Sequence, residues 1–185
     1  MRLFIAINFP DALRDSLHAA MEPLRAAGPA ARWVDRDRLH LTVKFLGDQP
    51  ETAVAPLLRA LEEVAARYDP IPLEVRGLGA FPNLRAPRVV WVGVHADPKL
   101  ELLQHDIERA CELLGHEVEG RAYRPHVTVG RVEPREIDAA RLAAAARTVD
   151  FRADAMAESV DLMVSETVDR RPRYRVVGSA ALSRH

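Results

Sequence analysis

Apolar and polar positions along this chain recur in two periods, one of two residues and one of three to four, and the switches between them mark the elements. Leu3 to Phe9 has strand character and is ended by Pro10. From Asp11 to Ala27, Leu13, Leu17, Met21 and Leu24 recur at helical spacing until Gly28-Pro29 stops them. The pattern then predicts a short strand at Arg32 to Val34, a polar turn over Asp35 to Arg38, and a strand from Leu39 to Leu46 that ends at Gly47. Thr52 to Tyr68 reads as a helix with Val54, Leu57, Leu61 and Val64 on one face, after which Pro70 and Pro72 force extended chain.

Strands over Leu73 to Leu78 and Arg88 to His95 flank the turn-rich segment Phe81 to Pro87. Asp97 to Leu114 is a second long helix whose buried face carries Leu100, Leu103, Ile107, Cys111 and Leu114. A loop through Gly120 leads to a strand from His126 to Arg131, a helix from Arg135 to Arg147, and strands near Val149 to Ala153, Val160 to Val168 and Tyr174 to Leu182. The regular strand, helix, strand period of a doubly wound sheet is missing, so the fold class is α+β with largely antiparallel sheets. No low-complexity linker interrupts residues 1–185, which read as a single domain.

Composition narrows the function classes. A chain of 185 residues, 48% hydrophobic, buries enough surface to fold without a disulfide or structural metal. A formal net charge of -1 argues against a protein that grips long nucleic acid through a broad basic face. All the basic residues except Lys44 and Lys99 are arginine, which suits bidentate phosphate recognition but equally reflects genomic base composition. The apolar runs are too short for a membrane span or a signal peptide, so a cytoplasmic protein is expected, and nothing in the sequence demands more than a monomer. The lone Cys111 agrees with a reducing compartment and reads as core.

One tetrapeptide pattern occurs twice: His40-Leu41-Thr42-Val43 and His126-Val127-Thr128-Val129, each inside a predicted strand. Alternation puts His40 with Thr42, and His126 with Thr128, on a polar face while their neighbours go to the core. Either alone reads as the wet side of an amphipathic strand. Together they supply two imidazoles that titrate near neutrality and two hydroxyls able to donate to phosphate oxygens, the parts needed for acid and base catalysis on a phosphodiester. The residues leave the roles of the two histidines interchangeable.

With their flanks, these motifs resemble the 2H phosphoesterase superfamily, and within it the RNA 2',3'-cyclic phosphodiesterases, also called 2'-5' RNA ligase-like proteins. The resemblance runs in order through Arg2-Leu3-Phe4-Ile5-Ala6-Ile7, Arg32-Trp33-Val34, Leu39 to Gly47, Gly79 to Pro82, Pro87 to Val94 and Tyr123 to Arg131. It implies a bilobal, pseudo-twofold α+β fold in which two antiparallel sheets, flanked by helices, form a central groove. It also implies metal-independent hydrolysis of an RNA 2',3'-cyclic phosphate end to a 2'-phosphate, without a cofactor, and with reversible 2'-5' RNA ligation as a side activity. By motif position His40 would be the proton donor to the departing 3' oxygen, His126 the acceptor that activates water, and Thr42 and Thr128 the phosphate-binding hydroxyls.

Further candidates surround this pair. Arg131 is expected near the phosphate from its family counterpart, although strict alternation turns it away from His126 and Thr128 unless a bulge at Gly130 re-aims it. Many relatives resemble this segment with Ala where Gly130 stands. Lys44 shares the parity of His40 and Thr42 and is a second candidate cation. Phe45, Tyr123 and Trp33 are candidate platforms for a base, with Phe45 placed on the core side by parity. Arg170, Arg171, Arg173 and Arg175 either steer an RNA end or form a solvated loop before the last strand. His95 has the parity of Trp91 and Gly93 and no evident role. The competing functions are a cyclic phosphodiesterase for a small nucleotide such as ADP-ribose cyclic phosphate, and a non-catalytic module that binds RNA ends. A two-histidine metal site is disfavoured because threonine is a poor ligand and neither motif has a carboxylate at matching spacing.

Overall fold

The computed structural model describes residues 1–133, 137–169 and 171–183. Among the described residues, nine strands and five α-helices follow one another as β1 (Arg2–Asn8), α1 (Asp11–Ala20), α2 (Glu22–Ala27), β2 (Arg32–Trp33), β3 (His40–Asp48), α3 (Val54–Ala65), β4 (Ile71–Phe81), β5 (Val89–Ala96), α4 (Lys99–Leu113), β6 (His126–Arg131), α5 (Ala139–Ala146), β7 (Arg152–Ala157), β8 (Ser159–Val168) and β9 (Arg171–Ala181). The helix predicted over Asp11 to Ala27 is broken at Met21, with Pro23 seated in the first turn of α2, where its missing N–H is not needed. Asp138 caps α5 by accepting the Arg141 amide at 3.0 Å. The predicted start of that helix at Arg135 lies outside the described residues.

All strand pairs are antiparallel, and the order is β7-β4-β5-β6-β3-β1-β8-β9 with β2 added to β6. The two expected sheets are the two halves of this one sheet. They meet between β3 and β6 at a single register pair, Leu41 with Val127, while the other long ladders pair at five or more positions. The strands therefore part on either side of that point, and the two motif strands flank the groove at its centre.

Helices cover the other face. α3 packs on α4 and against β8 and β9, α4 reaches β3, and α2 packs on α5. One continuous core lies between helices and sheet, with Leu3, Ile5, Ile7, Leu41, Val127, Leu57 and Leu103 each at most 1% exposed. Cys111 belongs to it, and burial pushes its thiol up to about 11. A separate small cluster of Phe4, Ala6 and Met163, with Tyr174 against it, lies on the groove face of β1 and β8. Among the described residues, no helix is long and apolar enough to cross a membrane.

Candidate active site

Each motif strand presents its polar pair to the groove and its apolar pair to the core. His40, Thr42, His126 and Thr128 are all partly exposed, whereas Leu41, Val43, Val127 and Val129 are buried. Both imidazoles are held in the same way. His40 Nδ1 lies 2.7 Å from the Arg38 carbonyl oxygen, and His126 Nδ1 lies 2.6 Å from the Arg124 carbonyl oxygen. A carbonyl only accepts, so each Nδ1 carries a hydrogen and each Nε2 is left to do chemistry. His40 Nε2 is 2.9 Å from Thr42 Oγ1, whose hydroxyl donates to it when the ring is neutral.

The two halves also give each imidazole an aromatic wall. The Phe4 and Tyr174 rings stand 5.1 and 5.4 Å from His40, and the Phe81 and Trp91 rings 5.2 and 6.2 Å from His126. Burial among these groups holds the His40 pKa down at about 4, outweighing the Arg38 carbonyl, and the positive charges of Arg14 and Arg38 add to the effect. His126 is also held below the ordinary imidazole value, by burial and then by the charge of Arg131.

Neither strand alternates strictly past its threonine. In β3 the register with β1 slips between Thr42 and Lys44, and in β6 the register with β5 slips between Thr128 and Gly130, so each carries a bulge at the following valine. Beyond it the parity inverts. Lys44 therefore does not face the groove. It is 5% exposed on the core side, its Nζ 2.5 Å from Glu108 Oε2 of α4 and 2.7 Å from the Glu117 carbonyl. Phe45, which parity assigned to the core, is instead 70% exposed on the groove side, with its ring 6.3 Å from that of Phe4.

The same inversion turns Gly130 inward and Arg131 outward. A Cβ at Gly130 would lie 2.5 Å from the Trp33 ring, so glycine is required by a tryptophan packed on that strand. Trp33 is thereby a packing residue, its indole N–H donating to the Gly28 carbonyl at 2.8 Å, rather than a base platform. Tyr123 is a clamp: its hydroxyl donates to the Thr42 carbonyl at 3.0 Å, tying the segment before β6 to β3. Arg171, Arg173 and Arg175 lie within β9, not in a loop, with Arg175 donating to Glu166 at 3.0 Å; Arg170 lies outside the described residues.

The aromatic walls were not read from the sequence, although a signal existed. The run from Leu3 to Ile7 is apolar at every position and not at alternate ones, which marks a strand buried on both faces. Arg38, which stacks over Tyr174 at 5.9 Å, carried no such signal. Among the described residues, no group of three or more His, Cys, Asp or Glu side chains is placed to hold a metal ion.

This arrangement matches known proteins over nearly its whole length. The family model of the 2'-5' RNA ligase superfamily fits residues 10–169. A protein of Methanothermobacter thermautotrophicus named RNA 2',3'-cyclic phosphodiesterase is 34% identical over 139 residues, covering 75% of each chain. A protein of the same name from Geobacillus stearothermophilus is 31% identical over 183 residues, 97% of this chain and 56% of its own. A crystal structure of a Thermus thermophilus protein superposes with a TM-score of 0.79 at 28% identity, covering 100% of this chain and 99% of that one. E. coli LigT, crystallised with 3'-AMP, superposes at 0.72 and 26% identity, with 99% and 98% covered. On the extent of these matches, the chain belongs to the 2'-5' RNA ligase superfamily of 2H phosphoesterases.

Proposed function

We propose that this protein hydrolyses the 2',3'-cyclic phosphate end of an RNA to a 2'-phosphomonoester, using His126 as base and His40 as acid. The observation that carries the reading is the paired geometry: two partly exposed imidazoles, each held through Nδ1 by the carbonyl two residues earlier and each followed two residues on by a partly exposed threonine, with His40 Nε2 2.9 Å from the Thr42 hydroxyl. The names of the relatives support the same substrate class. His126 Nε2 takes a proton from water as its oxygen bonds to phosphorus. The bond from phosphorus to the 3' oxygen breaks, and His40 gives that oxygen its proton. Thr42, Thr128 and Arg131 hold the non-bridging oxygens as charge gathers on them. Phe45 offers its exposed face to the terminal base. A 5'-hydroxyl in place of water would give a 2'-5' linkage by the same two proton transfers.

The test is to incubate the protein, in EDTA, with a short RNA ending in a 2',3'-cyclic phosphate and to identify the product end by mass and phosphatase sensitivity. His40→Ala and His126→Ala should each lower turnover by about 10² to 10⁴ with the fold intact. Wild-type rates in both variants would sink the mechanism. Binding of the RNA without turnover would favour an end-binding module.

A further inference from the structure

We infer that α4 is the seam of a weak twofold dimer, in which a second copy of this chain lies antiparallel along its outward face. Among the described residues, the large apolar side chains most open to solvent are Leu113 at 86%, Phe45 at 70% and Leu102 at 57%. Phe45 lies in the groove and has a use there. The two leucines are both on α4, on the far side of the sheet from the groove, and no described element covers them. Between them the helix carries Asp106 and Arg109. Steps of four, three and four residues keep all four side chains within about 60° of one another around the helix axis, turned away from the buried Leu103, Ile107 and Cys111. Alternating steps of three and four are those of a seam that packs along its length on another helix.

The order of residues along the stripe says which helix that is. It runs apolar, acidic, basic, apolar, and is therefore its own complement when reversed. With a two-fold axis at the midpoint between positions 107 and 108, Leu102 stands against the partner's Leu113 and Asp106 against the partner's Arg109, each pair formed twice. In the same register the exposed His105 meets the partner's Ala110, an imidazole against a methyl. A parallel copy would instead oppose Asp106 to Asp106 and Arg109 to Arg109. Both charges have capacity to spare. Asp106 accepts the Tyr68 hydroxyl at 2.7 Å and Arg67 at 3.3 Å on Oδ2 alone, and Oδ1 has no partner among the described residues. Arg109 binds Glu112 through Nη1, which leaves Nε and Nη2 to the partner's carboxylate. Exposed Leu114 and Val118 extend the apolar end of the seam beside Leu113. The two leucines are about 16 Å apart along the helix, so the interface is short and the dimer weak. Because α4 is on the helical face of the sheet, both catalytic grooves stay open.

The experiment is sedimentation velocity of the full chain from micromolar to millimolar concentration, across which the wild type should pass from monomer toward dimer. Leu113→Glu puts a charge on the apolar contact, and Arg109→Glu opposes two acids across the seam. Both positions are exposed, so each variant should keep the wild-type circular dichroism while its dissociation constant rises by about tenfold or more. Direction and register are read by cross-linking. Under mild oxidation, chains carrying Leu102→Cys should join chains carrying Leu113→Cys, and neither should join its own kind, because equivalent positions lie about 16 Å apart across the axis. The native Cys111 is buried and does not compete. A wild type that stays monomeric at millimolar concentration overturns the inference and leaves the stripe to a different protein. A dimer indifferent to both glutamate variants, or cross-linking within one variant as fast as between the two, overturns it equally.

Discussion

The acid of the proposed reaction starts without its proton. With a pKa of about 4, the His40 ring is protonated in roughly one molecule in a thousand at pH 7, and loading it there costs about 4 kcal/mol. A phosphate anion about 4 Å from the ring offsets that cost, since unit charges at this distance attract by about 4 kcal/mol at an effective dielectric constant near 20. Substrate thus brings the charge that arms its own acid, and the His40 midpoint should climb from about 4 toward neutrality when the groove is filled. The assay is an NMR titration of the imidazole Cε1 protons, assigned with His40→Gln, in the free protein and with a nucleoside 2'-monophosphate. The free His126 should titrate below its ordinary 6.5 as well, so both limbs of the kcat/KM profile should lie acidic of that value, with the kcat profile displaced upward. Folding is linked in a defined direction. The unfolded imidazole takes its proton near 6.5 and the folded one near 4, so stability is full above pH 6.5 and falls through that window as pH drops, by up to about 3 kcal/mol. A free His40 midpoint at or above 6.5, or one that the 2'-monophosphate does not raise, would refute the reasoning.

Two packing predictions follow from the bulges. Lys44→Met strands the Glu108 carboxylate in the core and should cost about 3–5 kcal/mol in urea unfolding. Lys44→Met with Glu108→Leu should recover most of that loss, and a double variant no more stable than the single would show that the pair is not what matters. Gly130→Ala drives a methyl into the Trp33 ring and should cost about 1–3 kcal/mol by thermal denaturation, a penalty relieved when Trp33→Leu makes room. An unchanged melting temperature in Gly130→Ala would show that β6 shifts freely away from β2.

Much of this was legible in the sequence because it depends on local period. The two motif strands, the core helices with Leu57 and Leu61 or Leu103 and Ile107, and the sharing of one face by His40 with Thr42 all follow from side-chain spacing. What spacing could not supply was the bulge after Thr42, an extra residue that no local pattern announces, whereas a bulge at Gly130 was expected only as the condition for Arg131 to face the phosphate. That one slip reverses Lys44 and Phe45 together, since a shift of one residue exchanges the faces of everything beyond it. Gly130 was the visible trace of the matching slip in β6, but its reason, Trp33, lies on β2, almost a hundred residues earlier in the chain. The ion pair of Lys44 with Glu108 is equally non-local, joining β3 to a helix that local period places but does not dock.

The paired bulges also explain how a near-symmetric frame gives its two histidines unlike surroundings. The same backbone device delivers different side chains to equivalent places. Past the first bulge the core side receives Lys44 and the groove side Phe45; past the second they receive Gly130 and Arg131. The groove beside His40 gains the exposed Phe45 ring, while burial keeps the imidazole itself neutral near pH 7. The His126 half gains Arg131, whose charge adds to burial in disfavouring the protonated ring, as the proposed base requires. The buried Lys44 neutralises Glu108, and its Nζ also bonds the Glu117 carbonyl while the same carboxylate receives the Glu119 amide at 3.4 Å. The loop that ends at His126 is therefore anchored to the strand that carries His40. The residue that sequence parity placed on the phosphate acts one layer deeper, in tying that loop to β3.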